Sequence, residues 1–556
     1  MKKIAIIGMD IAFEGCPDLA TFERLCYTGT ARPEGTAEPV RSAEQVAEHA
    51  LRDAGLRASA RVVVLHARDE AQSAVFHALV EAQRLLTAGE ADAVLIAEHG
   101  AIGAGAVVLA RDDARTPRVY ATMNALRLGA VDGIAATCAQ ALADAGLAAS
   151  DIGYLEALDC DPAQGSYAMR TDMLAAYRTP TADLTCAIGN VSAILGTHSI
   201  LAGLIKTALC LYRRYLPPTA NWTGPQHPES WCDSPFYAPA TARPWLPEER
   251  TQRYAAISGN CDTAYAHCIL EEPARRSESA ICSHLAEKPL HLFPLAGDSR
   301  ESLRAQLITL RRDVETGRLR TDDTLSALAQ RAFDAFRQMP DATYAAAIVG
   351  YDAATMLREI EFALEGIDKA FESGKPWASP QGSYFTPTPL GRAGGVAFVY
   401  PGAFNSYLDM GRDLLQTFPR LHDLFTEVTT LPDRTLAAQR LYPRSLHLLS
   451  ETERQACDAE LRRDSLAMIE SGTSLAIMHT RLLRDVFGVQ PRAALGYSLG
   501  EVSMLWALGV WRDGDAGHEA WQNSPLFATR LSGSMEAIRE FWKLPVDVTT
   551  DLWHVY

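Results

Sequence analysis

AALGYSLGEVSMLWALGV, residues 493–510, joins a short apolar run, Ala493-Ala494-Leu495, to a helix-like run from Glu501 to Val510. Between them stands Gly496-Tyr497-Ser498-Leu499-Gly500, a G-x-S-x-G pattern. In a strand–turn–helix such a serine occupies a sharp, strained corner, and the flanking glycines let neighbouring backbone pass without a clash. Backbone N–H groups then face a developing oxyanion. The pattern predicts an α/β fold here, with Ser498 as the nucleophile of a covalent acyl-serine and the Leu499 amide as one oxyanion donor. Upstream, Gly394-Gly395-Val396-Ala397-Phe398-Val399-Tyr400-Pro401-Gly402 reads as a buried strand running into a Pro-Gly loop. That loop offers a second backbone donor, at Ala403.

The segments VAFVYPGAFNSYLDMGRDLLQTFP (396–419) and GYSLGEVSMLWALGVW (496–511) resemble the acyltransferase domain of fatty acid and polyketide synthases. That family opens FxFPGQGxQ and carries GHSxGE at its serine. Two positions depart from it: Gly402-Ala403-Phe404 replaces Gly-Gln-Gly, and Tyr497 replaces the histidine before the serine. Both departures argue against ordinary malonyl loading. The run SPLFATRLSGSM (524–535) resembles the family's next helix, whose arginine pairs with a malonyl carboxylate. The resemblance puts that role on Arg530, reached across an insertion from Arg512 to Gln522; a solvated surface cation is the other reading. The family's general-base histidine lies in the second half of the domain. After Ser498 this chain has only His518, in the insertion, and His554, near the end at Tyr556, and both read as surface residues. The resemblance therefore implies an incomplete acyltransferase: a fragment, a split gene, or a domain completed by another polypeptide.

Over 556 residues, 48% hydrophobic and 22% charged, the chain has the composition of a globular protein of several domains. Lys+Arg of 52 against Asp+Glu of 68 gives a net charge of −16, which argues against a nucleic-acid or anionic-membrane surface. No apolar run approaches the roughly 18 residues of a membrane span, and no signal peptide pattern follows MKKIAIIGMDIAFEG. The 11 cysteines are scattered without CxxC pairing, which points to a reduced cytoplasm. Nothing in the pattern suggests a metal site.

From Met1 to about Arg275, β-type runs (Ile4 to Met9, Arg61 to His66, Ala93 to Ala97, Ala106 to Ala110) alternate with helix-period runs (Ala74 to Ala88, Val131 to Ala145), predicting a layered α/β domain over 1–275. A small α+β linker domain is expected over 286–374, with helices at Arg300 to Arg318 and Met356 to Ser373 around a strand at Ala345 to Tyr351. Residues 375–395 read as a Pro/Gly/Ser-rich extended linker, and 396–556 as the acyltransferase part.

IAIIGMDIAFEG (4–15), EADAVLIA (90–97), VYATMNALRLGAVDG (119–133), LIKTALCLYRRYLPPTANW (204–222) and YAAISGNCDTAYAHCILEEP (254–273) follow the order of a β-ketoacyl synthase of the thiolase fold. Condensation in that family needs a cysteine nucleophile and two histidines. By the resemblance these positions hold Gln72, Leu158 and Thr197, with His198 one place along. Cys160 and Cys186 belong to other parts of the pattern and read as small buried residues. The chain is also shorter than the family between Arg41 and Arg61, where substrate-tunnel and dimer-face elements lie. The first part is thus expected to be thiolase-like and non-condensing.

The order of degenerate ketosynthase, linker and acyltransferase resembles the B-type subunit of polyunsaturated fatty acid synthases and related type I polyketide synthases. It implies acyl or malonyl transfer through Ser498 from thioesters of CoA or carrier-borne phosphopantetheine, no tightly bound cofactor, and partners among acyl carrier proteins and synthase subunits. Two alternatives remain open: a non-catalytic scaffold, and an α/β-hydrolase thioesterase, which shares G-x-S-x-G but normally adds an HGGG-like loop and a downstream Asp/Glu and His.

Overall fold

Every residue of β1 (Ile4–Phe13) is buried, the signature of a strand covered on both faces. The sequence reading ended this strand before Asp10. It runs on because Arg41 clasps the Asp10 carboxylate through two N–H groups, at 2.6 and 3.1 Å, so the charge enters the core already paired. The computed structural model describes residues 3–545 except 34, 36–39, 69–73, 101, 113–117, 159–170, 179–182, 198, 226–227, 232, 249–251, 262–263, 275–289, 316–324, 392–393 and 532–533. The chain divides into two units, one of Met1–Cys282, Phe398–Gln490 and Ala494–Tyr556, the other of Ser283–Ala397 and Pro491–Ala493.

In the first unit β1 is joined by β2 (Val62–Arg68), β3 (Ala93–Gly100), β4 (Gly103–Arg111), β5 (Ala121–Ala130), β6 (Ile152–Ala157), β7 (Cys186–Gly189), β8 (Phe236–Tyr237), β9 (Tyr254–Cys261) and β10 (Ala264–Glu271). They form one 10-stranded sheet in the order β2-β3-β4-β1-β5-β10-β9-β6-β7-β8. Antiparallel pairs fill its middle, while β2–β3 and β9–β6–β7–β8 are parallel. Helices α1 (Leu19–Thr28), α2 (Ala43–Asp53), α3 (Ala74–Ala88), α4 (Ile134–Ala145) and α5 (Ile200–Arg213) pack on it. The α2 helix starts at a capping box between Ser42 and Gln45. In α5 all residues but Arg213 are buried, so it is enclosed on every side, between strands of both halves of the sheet. Its Lys206 is paired at 2.9 Å with the equally buried Glu156 of β6. This is a layered α/β architecture.

The second unit carries α6 (Arg300–Glu315), α7 (Leu325–Arg337) and α8 (Ala353–Ser373) on a sheet of β11 (His291–Gly297), β12 (Tyr344–Gly350), β13 (Trp377–Ala378) and β14 (Tyr384–Phe385), ordered β11-β12-β14-β13. The α8 helix begins earlier than its apolar period because Asp352 accepts the Thr355 N–H and caps it. Residues 375–395, read as an extended linker, contribute two of these strands. Ser379 and Ser383 both donate to the buried Glu359 carboxylate, and Phe385 fills the core, which fixes the segment in place.

The strands β15 (Val396–Tyr400) and β16 (Pro491–Gly496) form a two-stranded sheet, of which Phe398–Tyr400 and Ala494–Gly496 belong to the first unit, and the remainder of that unit adds α9 (Ser465–Arg481), α10 (Leu499–Ala507) and α11 (Gly514–Gln522). Phe398, Tyr400, Leu421, Phe425, Leu441 and Met478 form its core. From Asp423 to Leu446 it docks on the ten-stranded domain: Arg214 bridges Glu272 and Asp423 (2.5 and 2.6 Å), Arg444 pairs with Glu248 and donates to the Leu184 carbonyl (2.7 Å), and Trp222 Nε1 donates to the Leu446 carbonyl (2.6 Å). No described helix is long and apolar enough to cross a membrane.

Candidate active site

Ser498 stands between β16 and α10 with φ 54° and ψ −121°, a conformation that an L-residue adopts only under strain. The two flanking glycines make the corner possible. A Cβ on Gly496 would lie 2.1 Å from the Gly500 carbonyl carbon, and one on Gly500 would lie 2.3 Å from the Tyr400 carbonyl oxygen. Tyr497 N–H donates to that same Tyr400 oxygen at 3.3 Å, so the C-terminal ends of β15 and β16 meet where the serine emerges. Ser498 is exposed.

The Pro-Gly loop after β15 arrives at this corner. A Cβ built on Gly402 would sit 3.2 Å from the Tyr497 carbonyl oxygen and 3.5 Å from Ser498 Cβ, so the loop packs directly against the serine. Ala403 follows, half-buried, and Phe404 turns the chain with φ 67°. As the first residue of α10, Leu499 has an amide without an intrahelical acceptor. Both loop and elbow are mounted on α9. Ser471 Oγ donates to Ser406 Oγ at 2.8 Å, Gly472 lets α9 approach Asn405, and Thr473 shares a hydrogen bond with Ser503 of α10 at 3.2 Å.

Arg530 lies at the surface, where it donates to Glu540 at 3.2 Å. His518, expected at the surface, is instead mostly covered: its Nδ1 is 2.6 Å from Oε1 of the buried Glu470, which also accepts from Gln522 Nε2 at 3.2 Å. His518 and Gln522 are four apart on α11, and that spacing was the available signal for a shared face. Burial raises the Glu470 carboxyl, and His518 pulls it back down. These residues line a cleft of about 750 Å³ with Asp433, Arg440 and Asp464. His554 lies outside the described residues.

Of the ketosynthase positions, Gln72, Cys160 and His198 lie outside the described residues. Leu158, just past β6, is buried; its side chain fills the space beside two glycines, since a Cβ on Gly203 would come within 2.8 Å of it and one on Gly259 within 3.1 Å. Its amide donates to the Ser258 carbonyl at 2.8 Å. Thr197 is half-buried, after a left-handed turn at Gly196. Cys186 is wholly buried in β7, and burial pushes its thiol up, away from the thiolate that a nucleophile needs. Sequence reading missed a buried group close by: His267, held between Ser258 (2.5 Å) and Tyr177 (3.0 Å), is driven down to about 3 by burial and stays neutral.

The chain is 29% identical over 518 residues to the B subunit of the polyunsaturated fatty acid synthase of Thraustochytrium sp., covering 86% of this chain and 24% of that protein. Polyketide synthase GfsB of Streptomyces halstedii is 28% identical over 379 residues, 67% of this chain and 6% of that protein. A phenolphthiocerol/phthiocerol polyketide synthase of Mycobacterium tuberculosis is 28% identical over 388 residues, 67% of this chain and 24% of that protein. The chain thus spans a quarter or less of the length of these curated relatives. Similar solved structures include the oxazolomycin ketosynthase domain OzmH KS8 of Streptomyces albus (TM-score 0.42, 23% identity, 50% of this chain and 98% of that one). Another is the module 6 ketosynthase of the Bacillus subtilis bacillaene synthase (TM-score 0.42, 17% identity, 69% of this chain and 86% of that one). No protein-family model matches. In sequence, then, the chain resembles the B-type component of polyunsaturated fatty acid synthases over most of its length and polyketide synthases over two thirds of it.

Proposed function

We propose that this protein moves an acyl or malonyl group from a thioester through Ser498, as a component of a polyunsaturated fatty acid or polyketide synthase. The strained elbow carries the reading: φ 54° at a non-glycine residue, between two glycines that admit no Cβ, holds an exposed hydroxyl at a sharp corner. Ser498 Oγ attacks the thioester carbonyl, with the amides of Leu499 and Ala403 as oxyanion donors. The thiol leaves, and a second thiol takes the acyl group from the serine. The chemistry calls for thioesters of CoA or of phosphopantetheine on an acyl carrier protein, other synthase subunits as neighbours in the cytoplasm, and a general base. We assign that base to a partner chain. General-base assistance is worth 10²–10⁴-fold, and supplying that chain should raise acylation accordingly.

The ten-stranded domain serves as a non-condensing scaffold on this reading. Leu158 puts an apolar side chain where condensation asks for an imidazole, and Gln72 and Thr197 replace the other two groups. Intact-mass measurement after incubation with acyl-CoA and malonyl-CoA tests the proposal. An adduct on the parent chain that Ser498→Ala abolishes supports it; transfer unchanged in Ser498→Ala ends it and leaves a scaffold.

A further inference from the structure

Apolar side chains crowd the elbow on its open side. Tyr497 is 79% exposed, Val399 68%, Leu495 53% and Phe404 43%. Along β15, Phe398 and Tyr400 point into the core and Val399 points out; on β16, Leu495 points out and Tyr497 follows two residues on. By this alternation Val399 and Leu495 share the uncovered side of their strands, and Tyr497 lies one residue before Ser498. The Tyr497 ring flanks the loop opposite: a Cβ on Gly402 would be 3.4 Å from Tyr497 Cδ1 and 3.5 Å from Ser498 Cβ. Arg530, the cation that the resemblance offers to a malonyl carboxylate, is at the surface with Glu540. A carboxylate brought against this rim of four apolar side chains loses water that they cannot replace, whereas a hydrocarbon chain gains cover.

We infer that the group carried on Ser498 is an uncharged, extended acyl chain rather than malonyl, and that Tyr497, Phe404, Val399 and Leu495 select it. This rests on the acyl-transfer reading above and narrows its substrate. In the step itself the Ser498 Oγ–acyl carbon bond forms as the carbon–sulfur bond breaks, and the serine proton ends on the departing sulfur, giving free thiol.

The test uses the full chain with malonyl-, acetyl-, octanoyl- and palmitoyl-CoA, reading the rate of Ser498 acylation by intact mass. Octanoyl-CoA should react at least about tenfold faster than malonyl-CoA, with rates rising about twofold per methylene, below the roughly fourfold of complete burial. Tyr497→Ala combined with Val399→Ala should flatten that dependence, and Arg530→Ala should leave the octanoyl-to-malonyl ratio unchanged. Equal or faster malonyl labelling, or a chain-length dependence that survives the double variant, overturns the inference while leaving acyl transfer standing. If no thioester labels Ser498, acyl transfer itself falls. The rim is then read separately, by calorimetric binding of the same thioesters to Ser498→Ala against free CoA: affinity that rises with chain length upholds the rim, and affinity independent of it overturns it.

Discussion

Replacing Ser498 by glycine should stabilise the protein, the reverse of what most substitutions do. At φ 54° and ψ −121° the serine sits in backbone territory that glycine occupies freely. Holding an L-residue in such a region costs about 1–3 kcal/mol. Glycine removes that cost but returns about 0.5–1 kcal/mol through its greater freedom in the unfolded chain. The net expectation is about 0.5–2 kcal/mol in favour of Ser498→Gly. The proper reference is Ser498→Ala, which loses the same hydroxyl yet keeps the Cβ, so the difference between the two variants isolates backbone strain. Urea unfolding followed by tryptophan fluorescence reads it, Trp506 and Trp511 lying on and just after the helix that the serine starts. A midpoint for Ser498→Gly at or below that of Ser498→Ala would refute the reasoning. The corner would then be relaxed, and the argument that it is held for chemistry would lose its footing.

Leu158→His, alone or with Gln72→Cys, should yield no condensation and should lower stability by about 1–3 kcal/mol, because an imidazole must enter space already filled against Gly203 and Gly259; carbon–carbon bond formation by either variant contradicts this. Because burial drives His267 down to about 3, the unfolded chain takes up a proton below about pH 6.5 that the folded chain refuses. The advantage of the parent over His267→Gln in unfolding free energy should therefore be full above that pH and shrink by about 1.4 kcal/mol per unit below it. The comparison cancels Asp433, whose carboxyl burial raises to about 6 and whose contribution runs the opposite way. His518→Ala should cost about 1–2 kcal/mol in thermal unfolding, less than a fully orphaned carboxylate, since Gln522 still donates to Glu470.

The elements that carried a clear period were legible. The α3 helix falls on Ala74–Ala88 as its apolar spacing predicts, and β15 and β16 bracket the serine where the apolar runs stood. What escaped were features decided by partners distant in sequence. The end of β1 depends on Arg41 meeting Asp10, and the ordering of 375–395 depends on Glu359 collecting two serine hydroxyls. His518 looked like a surface residue because its partner, Glu470, is on another helix. At the site, the glycine pattern foretold the corner, since a pentapeptide determines its own backbone. Which way Arg530 faces depends on Glu540 and on the neighbouring turns, and no local pattern encodes that.

Arg214, Arg253 and Arg444 have a further consequence, for how the gene can be divided. Each of these guanidinium groups sits among residues drawn from both sides of the second unit in the sequence: Arg214 between Glu272 and Asp423, Arg444 between Glu248 and Asp433, Arg253 between Glu272 and His422. A cut made in the sequence near 395 would strand half of each cluster on either product, leaving cationic sockets and the Trp222 indole open to water. The two stretches therefore inherit and fold as one piece, and a recombination event that swapped the stretch bearing Ser498 for a foreign one would have to bring matching acids with it.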